Sequence, residues 1–436
     1  MVRVDGRTAP GPWRQGEFLK FWAGSAISDI GSQVSALALP LIAALMLDAR
    51  PWQMGLLTAA GSVPVLLVGL LAGVWVDRVR RRPVMIAADF GRALVLLTVP
   101  VAAVAGVLRM ETLYAVMLLS GALTVLFDVA HLSFIPSLVP PARLVEGNAR
   151  IEATAAVAQV VGPSLGGVLV SALTAPLAVL VDVLSFVASG LLIARVRVAE
   201  SVAPRNPGRG VLAEIAEGWR VVVDDRIRRA LAGCSATMVL FSHTFLAVYV
   251  LYLTRVLGLG AVGVGIVFGA GGVGSLTGSM LAAGLARRFG VGPTIIGAQV
   301  VFGVAGLMVP VAVLVPRVAL AMIVASEVVQ WAALLVYYIN AVSVRQAITP
   351  DRLLGRVNAT MRVLVGGANP VGALVGGALG TKIGVPSTLV VASCGMMLSF
   401  LWLLLSPLRG LHAMPARETA EPAPARLMIT VGGLAE

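Results

Sequence analysis

The chain has 436 residues, of which 58% are apolar and only 12% charged, and its formal net charge is +12. A soluble fold cannot bury so large an apolar share, so lipid is expected to solvate part of its surface. The basic residues stand between long apolar runs instead of forming one polar segment. That pattern argues against nucleic-acid binding and for charges that set membrane topology.

Twelve apolar runs, each long enough to cross roughly 30 Å of hydrocarbon, predict an all-α membrane protein. They cover residues 18–47, 53–76, 84–107, 112–138, 150–173, 176–195, 230–254, 261–285, 293–315, 318–342, 357–380 and 386–407. The first run is too long for a signal peptide and lacks a small-residue cleavage site, so it is predicted to remain as a membrane helix.

The predicted organisation has two six-helix halves, 18–196 and 229–408. A cytoplasmic segment precedes them (1–17), a cytoplasmic linker joins them (197–228) and a cytoplasmic tail follows them (409–436). Leu212, Ile215, Trp219 and Val222 fall on one helical face of the linker, which predicts an amphipathic helix, either interfacial or solvated.

The loops differ in charge. One alternate set carries arginine clusters, of which Arg78 to Arg82 is the densest, whereas each loop of the other set holds at most one basic residue. Short arginine-rich loops stay in the cytoplasm, so both termini are predicted to be cytoplasmic. The composition is typical of a high-GC bacterium, and a monomer in the bacterial inner membrane is expected.

A repeat search supports the two halves. At a shift of 210 residues, Gly55 aligns with Gly265, and the glycines of the fifth run align with those of the eleventh: Gly162, Gly166 and Gly167 with Gly372, Gly376 and Gly377. Parallel repeats of this kind occur in transporters, whose site lies between the halves.

Two motifs and several shorter segments point to one family. Gly73-x-x-x-Asp77-Arg78-x-x-Arg81-Arg82 joins the second and third runs, and Gly162-Pro163-Ser164-Leu165-Gly166-Gly167 lies in the fifth. Through them the chain resembles the major facilitator superfamily from about Phe18 to Leu408. Four segments are similar to the macrolide-efflux and enterobactin-exporter-like branch: Ala36–Pro40, Trp52–Gly55, Phe127–Ala130 and Thr349–Ala359.

The resemblance implies a conformational latch formed by Gly73, Asp77, Arg78 and Arg81. Asp77 would accept hydrogen bonds from the start of the eleventh helix, near Val357, where it would also meet the positive end of the helix dipole. The arginines serve equally well as topology determinants. Gly162, Pro163, Gly166 and Gly167 would form the antiporter-motif helix, whose glycines either pack helices closely or take part in the conformational change.

Ionisable residues in hydrocarbon are functional candidates because their burial is costly. The resemblance implies that the first, fourth, seventh and tenth helices line the cavity. We expect proton coupling at Asp128 with His131, and next at Asp29. The expected substrate cavity holds Gln33, His243, Glu327, Gln330, Trp331 and Tyr338, with Glu327 and Trp331 suited to a cationic aromatic cargo. Each could instead be a satisfied structural group.

Other polar groups are assigned to structure or left open. Asp89 and Arg92, one turn apart, are predicted to neutralise each other, whereas Asp182 and Arg362 receive no role. Both cysteines lie in apolar runs and predict neither a disulfide nor a metal site. The sequence has no phosphate-binding loop and no Cys/His cluster with metal spacing, so no cofactor, no metal and no ATP-driven pump is expected.

These features predict a secondary active transporter, not an enzyme. It would export hydrophobic small molecules, drugs or secondary metabolites, by proton antiport with alternating access, with protons, cargo and the lipid bilayer as its partners. A siderophore or nutrient transporter of the same fold is the alternative, although the acidic residues in the runs favour neutral or cationic cargo. A polytopic membrane enzyme is disfavoured by the repeat and the short outer loops.

Overall fold

The computed structural model describes residues 16–76, 79–140, 143–198 and 211–414, without the side chains of 70–76, 211–217 and 351–352. Within these ranges the chain is helical and contains no strand. Twelve spans in the same ranges are long and apolar enough to cross a membrane. The predicted all-α membrane fold is therefore confirmed.

The first six spans are separate helices joined by short loops. They are α1 (Gly16–Leu41), α2 (Pro51–Val76), α3 (Arg81–Val104), α4 (Met110–Leu138), α5 (Leu144–Leu173) and α6 (Ala175–Ala194). A π turn at Ile42–Met46 extends α1. Prolines inside several of these helices are tolerated because neighbouring helices and local turns satisfy the backbone groups that proline frees.

The second group begins after a linker helix, α7 (Val211–Asp224). Its spans are α8 (Arg226–Leu251), α9 (Ala261–Phe289), α10 (Val291–Val311), α11 (Ala319–Ala347), α12 (Asp351–Lys382) and the pair α13 (Val385–Leu398) and α14 (Phe400–Leu404). A π turn at Tyr252–Val256 extends α8. It begins 210 residues after the π turn of α1, the offset at which the glycines repeat.

Two helices begin six residues earlier than their apolar runs. α5 starts at Leu144 and α12 at Asp351, so the prediction that the eleventh span starts near Val357 is wrong. Charged residues in the first turns made these segments resemble loops. In α5 such a pair supports the helix, since Arg150 Nη2 lies 2.8 Å from Glu146 Oε1 one turn away.

Packing follows the same pattern in both halves. In the first, α1 packs on α5 and α6, α2 on α4, and α3 on α4 and α6; in the second, α8 packs on α12 and α13, α9 on α11, and α10 on α11 and α13. Between the halves, α5 packs against α9 and α2 against α12. This equivalence of contacts confirms the predicted pseudo-repeat.

The close contacts between the halves lie away from the chain termini. We call the side where α1 begins and α6 ends the basic face, and the opposite side the far face. A Cβ on Gly265 would lie 3.0 Å from the Cα of Gly167, and one on Gly377 would lie 3.0 Å from the Cα of Gly55. These two glycine pairs, near the far-face ends of their helices, let the backbones touch.

An ion pair also joins the halves at the far face. Arg255, in the π turn after α8, lies 2.9 Å from the Asp48 carboxylate and donates to the Ala44 carbonyl at 3.0 Å. Asp48 is 95% exposed, so this pair adds little energy in water. The glycine contacts therefore account for more of the far-face closure than the charges do.

The linker helix α7 is docked on the second half. Gly218 faces the backbone of Arg356 on α12, and Val222 is buried in a cluster with Val357 and Met361. Trp219 is half exposed. The part of the predicted apolar face that the structure describes thus packs through Val222 on protein, while Leu212 and Ile215 lie outside the described side chains.

Candidate functional site

A buried ion pair lies at the centre of the first half. Asp89 and Arg92 on α3 are both buried and bonded to each other one turn apart. The Arg92 guanidinium lies 4.4 Å from the ring centroid of Phe127 on α4 and 4.1 Å from that of Phe186 on α6. The positive charge is therefore held between two aromatic faces as well as by a carboxylate.

His131 extends this stack towards α1. Its ring stacks on Phe127 at 5.7 Å and on Phe21 at 4.7 Å between centroids, and its Nε2 lies 3.1 Å from Ser25 Oγ. Phe127 thus contacts both the imidazole and the Arg92 guanidinium. Four helices contribute to this continuous stack, which fixes the plane of each polar group in it.

A pocket of about 500 Å³ opens beside the stack, between α4 and α5. Asp128, His131, Asn148 and Glu152 supply its polar lining, and Asp128 and Glu152 are exposed to it. Asp128 makes no hydrogen bond or ion pair with any residue that the structure describes. The predicted Asp128–His131 pair shares this pocket without a direct hydrogen bond, and the imidazole Nε2 is bonded to Ser25 instead.

Two more carboxylates approach this region. Asp29 on α1 is half-buried and interacts electrostatically with Asp128, Glu152 and Arg92. Asp182 on α6 is buried, accepts a hydrogen bond from the Ser185 hydroxyl at 3.0 Å and lies against Gly31 of α1. Asp182 therefore acts as part of the contact between α1 and α6.

The second half holds a separate buried carboxylate. Glu327 on α11 accepts a hydrogen bond from the Tyr249 hydroxyl at 2.6 Å on one oxygen and from the Trp331 indole at 3.0 Å on the other. The Trp331 ring lies against Gly271 of α9. Both oxygens of the residue predicted to hold a cationic cargo are thus occupied by internal donors in this conformation.

The other predicted cavity residues lie in different surroundings. Gln330 donates to Ser326 Oγ at 3.0 Å, whose hydroxyl in turn donates to the Ala305 carbonyl of α10. His243 Nδ1 lies 3.1 Å from the carbonyl of Val239 on its own helix. Tyr338 is 59% exposed. Gln330 and His243 thus bond to groups on their own helices, and Tyr338 lies at the surface.

The glycine motif of α5 faces two neighbours. Gly162 packs under the Gln33 side chain of α1, and Gly166 faces the backbone of Val34 on the same helix. Gly167 instead faces α9, where a Cβ would lie 2.6 Å from the Ala261 carbonyl. The Pro163 carbonyl lies beside Gly265 of α9. One short motif thus joins α5 both to its own half and to the other half.

The predicted latch lies mostly outside the described residues. Asp77 and Arg78 lie outside the described residues, and Gly73 is described only as part of the backbone of α2. Arg81 is the first residue of α3. Arg362, which had no predicted role, is exposed on α12 and has no hydrogen bond or ion pair among the described residues.

Three contributors escaped the sequence reasoning. Glu152 lies at the start of the predicted fifth run, 150–173, next to charged residues that indicate a loop. Tyr249 lay in an apolar run, where a tyrosine hydroxyl should have signalled a buried partner. The spacing of Asp89 and Arg92 predicted their pairing but not the two aromatic rings, which come from other helices.

The comparisons with known proteins agree with this architecture. A family model described as transmembrane secretion effector matches residues 7–431. The chain is 26% identical over 395 residues to the multidrug efflux pump Tap of Mycolicibacterium fortuitum, an alignment that covers 88% of this chain and 94% of that protein.

Solved structures share the fold at low identity. A bacterial homologue of the iron transporter ferroportin in the inward-facing state matches with a TM-score of 0.70 and 16% identity, covering 89% of this chain and 98% of the other. A bacterial ferroportin homologue in the outward-facing state matches with a TM-score of 0.56 and 18% identity over the same shares.

Proposed function

Because the chain belongs to the transmembrane secretion effector family of major facilitator transporters, we propose that it exports hydrophobic, neutral or cationic small molecules in exchange for protons. The family and the full-length similarity to a multidrug efflux pump support export over the alternative of siderophore or nutrient transport. Relatives of this kind are transporters, which disfavours a membrane enzyme. The positive-inside pattern supports a bacterial inner-membrane protein whose basic face is cytoplasmic.

The observation that carries the proton-coupling proposal is a local excess of carboxyl groups over guanidinium groups near Arg92, inside the first half. The carboxyl groups of Asp29, Asp89, Asp128 and Asp182 surround a single guanidinium, that of Arg92, which is already paired with Asp89. An unpaired carboxylate within a membrane span is costly, so its charge needs a cation or a proton to balance it. A cationic cargo or a proton can therefore neutralise the same group in turn.

Asp128 is the best proton carrier in this set. It is exposed to the pocket and makes no described hydrogen bond, whereas Asp89 and Asp182 are engaged by Arg92 and Ser185. Arg92 is bonded to Asp89 and stacked on Phe127 and Phe186. We propose that it sets the field in which Asp128 and Asp29 exchange protons, with His131 and Ser25 beside them.

Alternating access would open this pocket first to one side of the membrane and then to the other. The far-face glycine contacts and the higher TM-score to the inward-facing homologue support a conformation that is closed at the far face. Asp77 remains our proposed latch for the opposite state. In that state it would accept from the first N–H groups of α12 at Asp351, and not near Val357.

The direct test is Asp128→Asn in energised cells. The amide keeps the shape of the side chain but cannot carry a proton, so a fluorescent lipophilic cation should accumulate as it does when an ionophore collapses the proton gradient. Asp224→Asn, the same change on the exposed end of the linker helix, is the matched control and should leave efflux intact. Unchanged efflux in Asp128→Asn and after ionophore would contradict proton coupling.

A panel of cargoes separates export from nutrient transport. Cells that overexpress the protein should become less susceptible to several chemically unrelated hydrophobic compounds. Increased uptake of an acidic siderophore, without any change in drug susceptibility, would favour the alternative function instead.

A further inference from the structure

A cleft of about 1050 Å³ lies on the basic face of the second half, between the start of α8 and the end of α14. It is remote in sequence and in helix contacts from the acidic pocket of the first half. Its wall is apolar, formed chiefly by Leu398, Leu401, Trp402 and Leu405, each of which is exposed. Three arginines stand around it: Arg226, Arg229 and Arg409.

The wall is fixed by a close helix contact. A Cβ on Gly233 of α8 would lie 2.6 Å from the nearest atom of the Trp402 ring, so the indole can lie flat only because this position is glycine. The indole N–H donates to Thr237 Oγ1 at 3.2 Å. An indole held at the end of a membrane span is placed at the level of the lipid headgroups.

The arginines are available to a ligand. Arg226 and Arg409 are exposed and have no hydrogen bond or ion pair among the described residues, and Arg229 uses one N–H to bond the Val223 carbonyl at 2.9 Å. The adjacent carboxylate, Asp225, instead caps α8 by accepting from the Arg228 backbone N–H at 2.7 Å. No acidic residue lines the cleft in the described part of the chain.

We propose that this cleft binds an anionic glycerophospholipid. The arginines would bind its phosphate and the apolar wall would pack against its acyl chains. A zwitterionic lipid would balance less of the arginine charge, and a free soluble anion would leave the leucines and Trp402 uncovered. Basic clefts between helices at the cytoplasmic side suit anionic headgroups in this way.

The test measures binding of phosphatidylglycerol to the purified full-length protein by native mass spectrometry. Arg226→Gln with Arg229→Gln should weaken binding about 30-fold, from the contribution of two arginines near a membrane surface. The control pair, Arg287→Gln with Arg288→Gln, removes the same charge from the exposed end of α9 on the same face. It should change binding less than threefold.

Two further ligands show whether the cleft prefers an anionic lipid to a zwitterionic lipid or to a free anion. Phosphatidylcholine should be retained weakly and equally by both variants, and millimolar inorganic phosphate should not displace phosphatidylglycerol. Arg409→Gln alone provides a second variant with a smaller loss. An equal loss in the control pair, retention of phosphatidylcholine as strong as that of phosphatidylglycerol, or displacement by phosphate would each overturn the proposal. None of these outcomes depends on whether the protein exports drugs.

Discussion

Arg92 is the residue on which the order of the first half depends. Its guanidinium lies between Phe127 and Phe186 and is bonded to Asp89, so three helices, α3, α4 and α6, meet at one charge. A buried pair of this kind adds little net stability, yet removal of one partner leaves an uncompensated charge. The arrangement therefore fixes geometry more than it contributes free energy.

Comparison of a single variant with a double variant tests this role. Arg92→Met should destabilise the protein by about 3–5 kcal/mol because it leaves the buried Asp89 carboxylate unpaired. Asp89→Asn combined with Arg92→Met should recover much of that loss, since the uncompensated charge is then gone. Thermal unfolding in detergent, followed by size-exclusion chromatography, measures both variants.

Equal destabilisation of the single and double variants would contradict the ion-pair account and assign the effect to packing alone. Arg92→Lys separates charge from shape, because an ammonium group keeps the charge but not the flat stacking of a guanidinium. We expect it to fall between wild type and Arg92→Met.

At this scale the sequence predicted partners within a helix but not between helices. Spacing was sufficient to pair Asp89 with Arg92 and to place Asp128 near His131. It could not show that the Ser25 hydroxyl would bond His131 or that Tyr249 would bond Glu327, because those contacts join helices far apart in the chain. The predicted substrate cavity stays a prediction.

Among the helices, α5 joins the two halves. Adjacent positions of its glycine motif face different partners: Gly166 faces α1 within the half and Gly167 faces α9 across it. The rotation of about 100° between neighbouring residues of a helix produces this division. In the proposed alternating access, motion of the halves would separate the Gly167 side while the Gly166 side stays packed.

A methyl group at Gly167 should hold the far face apart. Gly167→Ala would place its Cβ 2.6 Å from the Ala261 carbonyl. Such overpacking destabilises the far-face-closed state by about 1–3 kcal/mol. The population ratio should shift towards the far-face-open state by roughly five- to 150-fold. Gly297→Ala on α10 is the matched control, since a Cβ there meets nothing within 4 Å.

Spin labels on the far face report this shift. Cysteines at Arg50 and Gly260, introduced after Cys234 and Cys394 are replaced, place one label on each half at exposed positions. Gly167→Ala should lengthen the distance between the two spin labels, measured by double electron–electron resonance, and Gly297→Ala should not. No change in either variant would show that Gly167 does not limit far-face closure.

Element positions could largely be predicted from hydropathy, because the apolar runs match the observed spans to within a few residues. The exceptions, α5 and α12, begin with charged turns such as Glu146 to Arg150, which hydropathy assigned to loops. A helix that projects beyond the hydrocarbon needs no apolar residues there. The early start of α5 is what places Leu144 and Asn148 on a helix beside the pocket.

For the whole molecule, the 210-residue repeat has a structural counterpart. Gly55 is equivalent to Gly265 and Gly167 to Gly377, and the structure pairs Gly167 with Gly265 and Gly377 with Gly55. The two inter-half contacts are thus related by the internal pseudo-symmetry. The sequence offset could predict equivalence of the halves, but not that these glycines would meet each other, since contact between repeats depends on their relative orientation.

In the proposed mechanism, cargo leaves in exchange for protons through the acidic pocket around Asp128. The most direct test of this mechanism is purified protein in proteoliposomes with a trapped pH indicator and no imposed gradient. Addition of a lipophilic cation should drive protons in the opposite direction to the cation, and addition of the cation to Asp128→Asn should move no protons. Cation transport with no proton movement in the wild type would rule out proton exchange. Equal proton movement in Asp128→Asn would rule out Asp128 as the proton carrier.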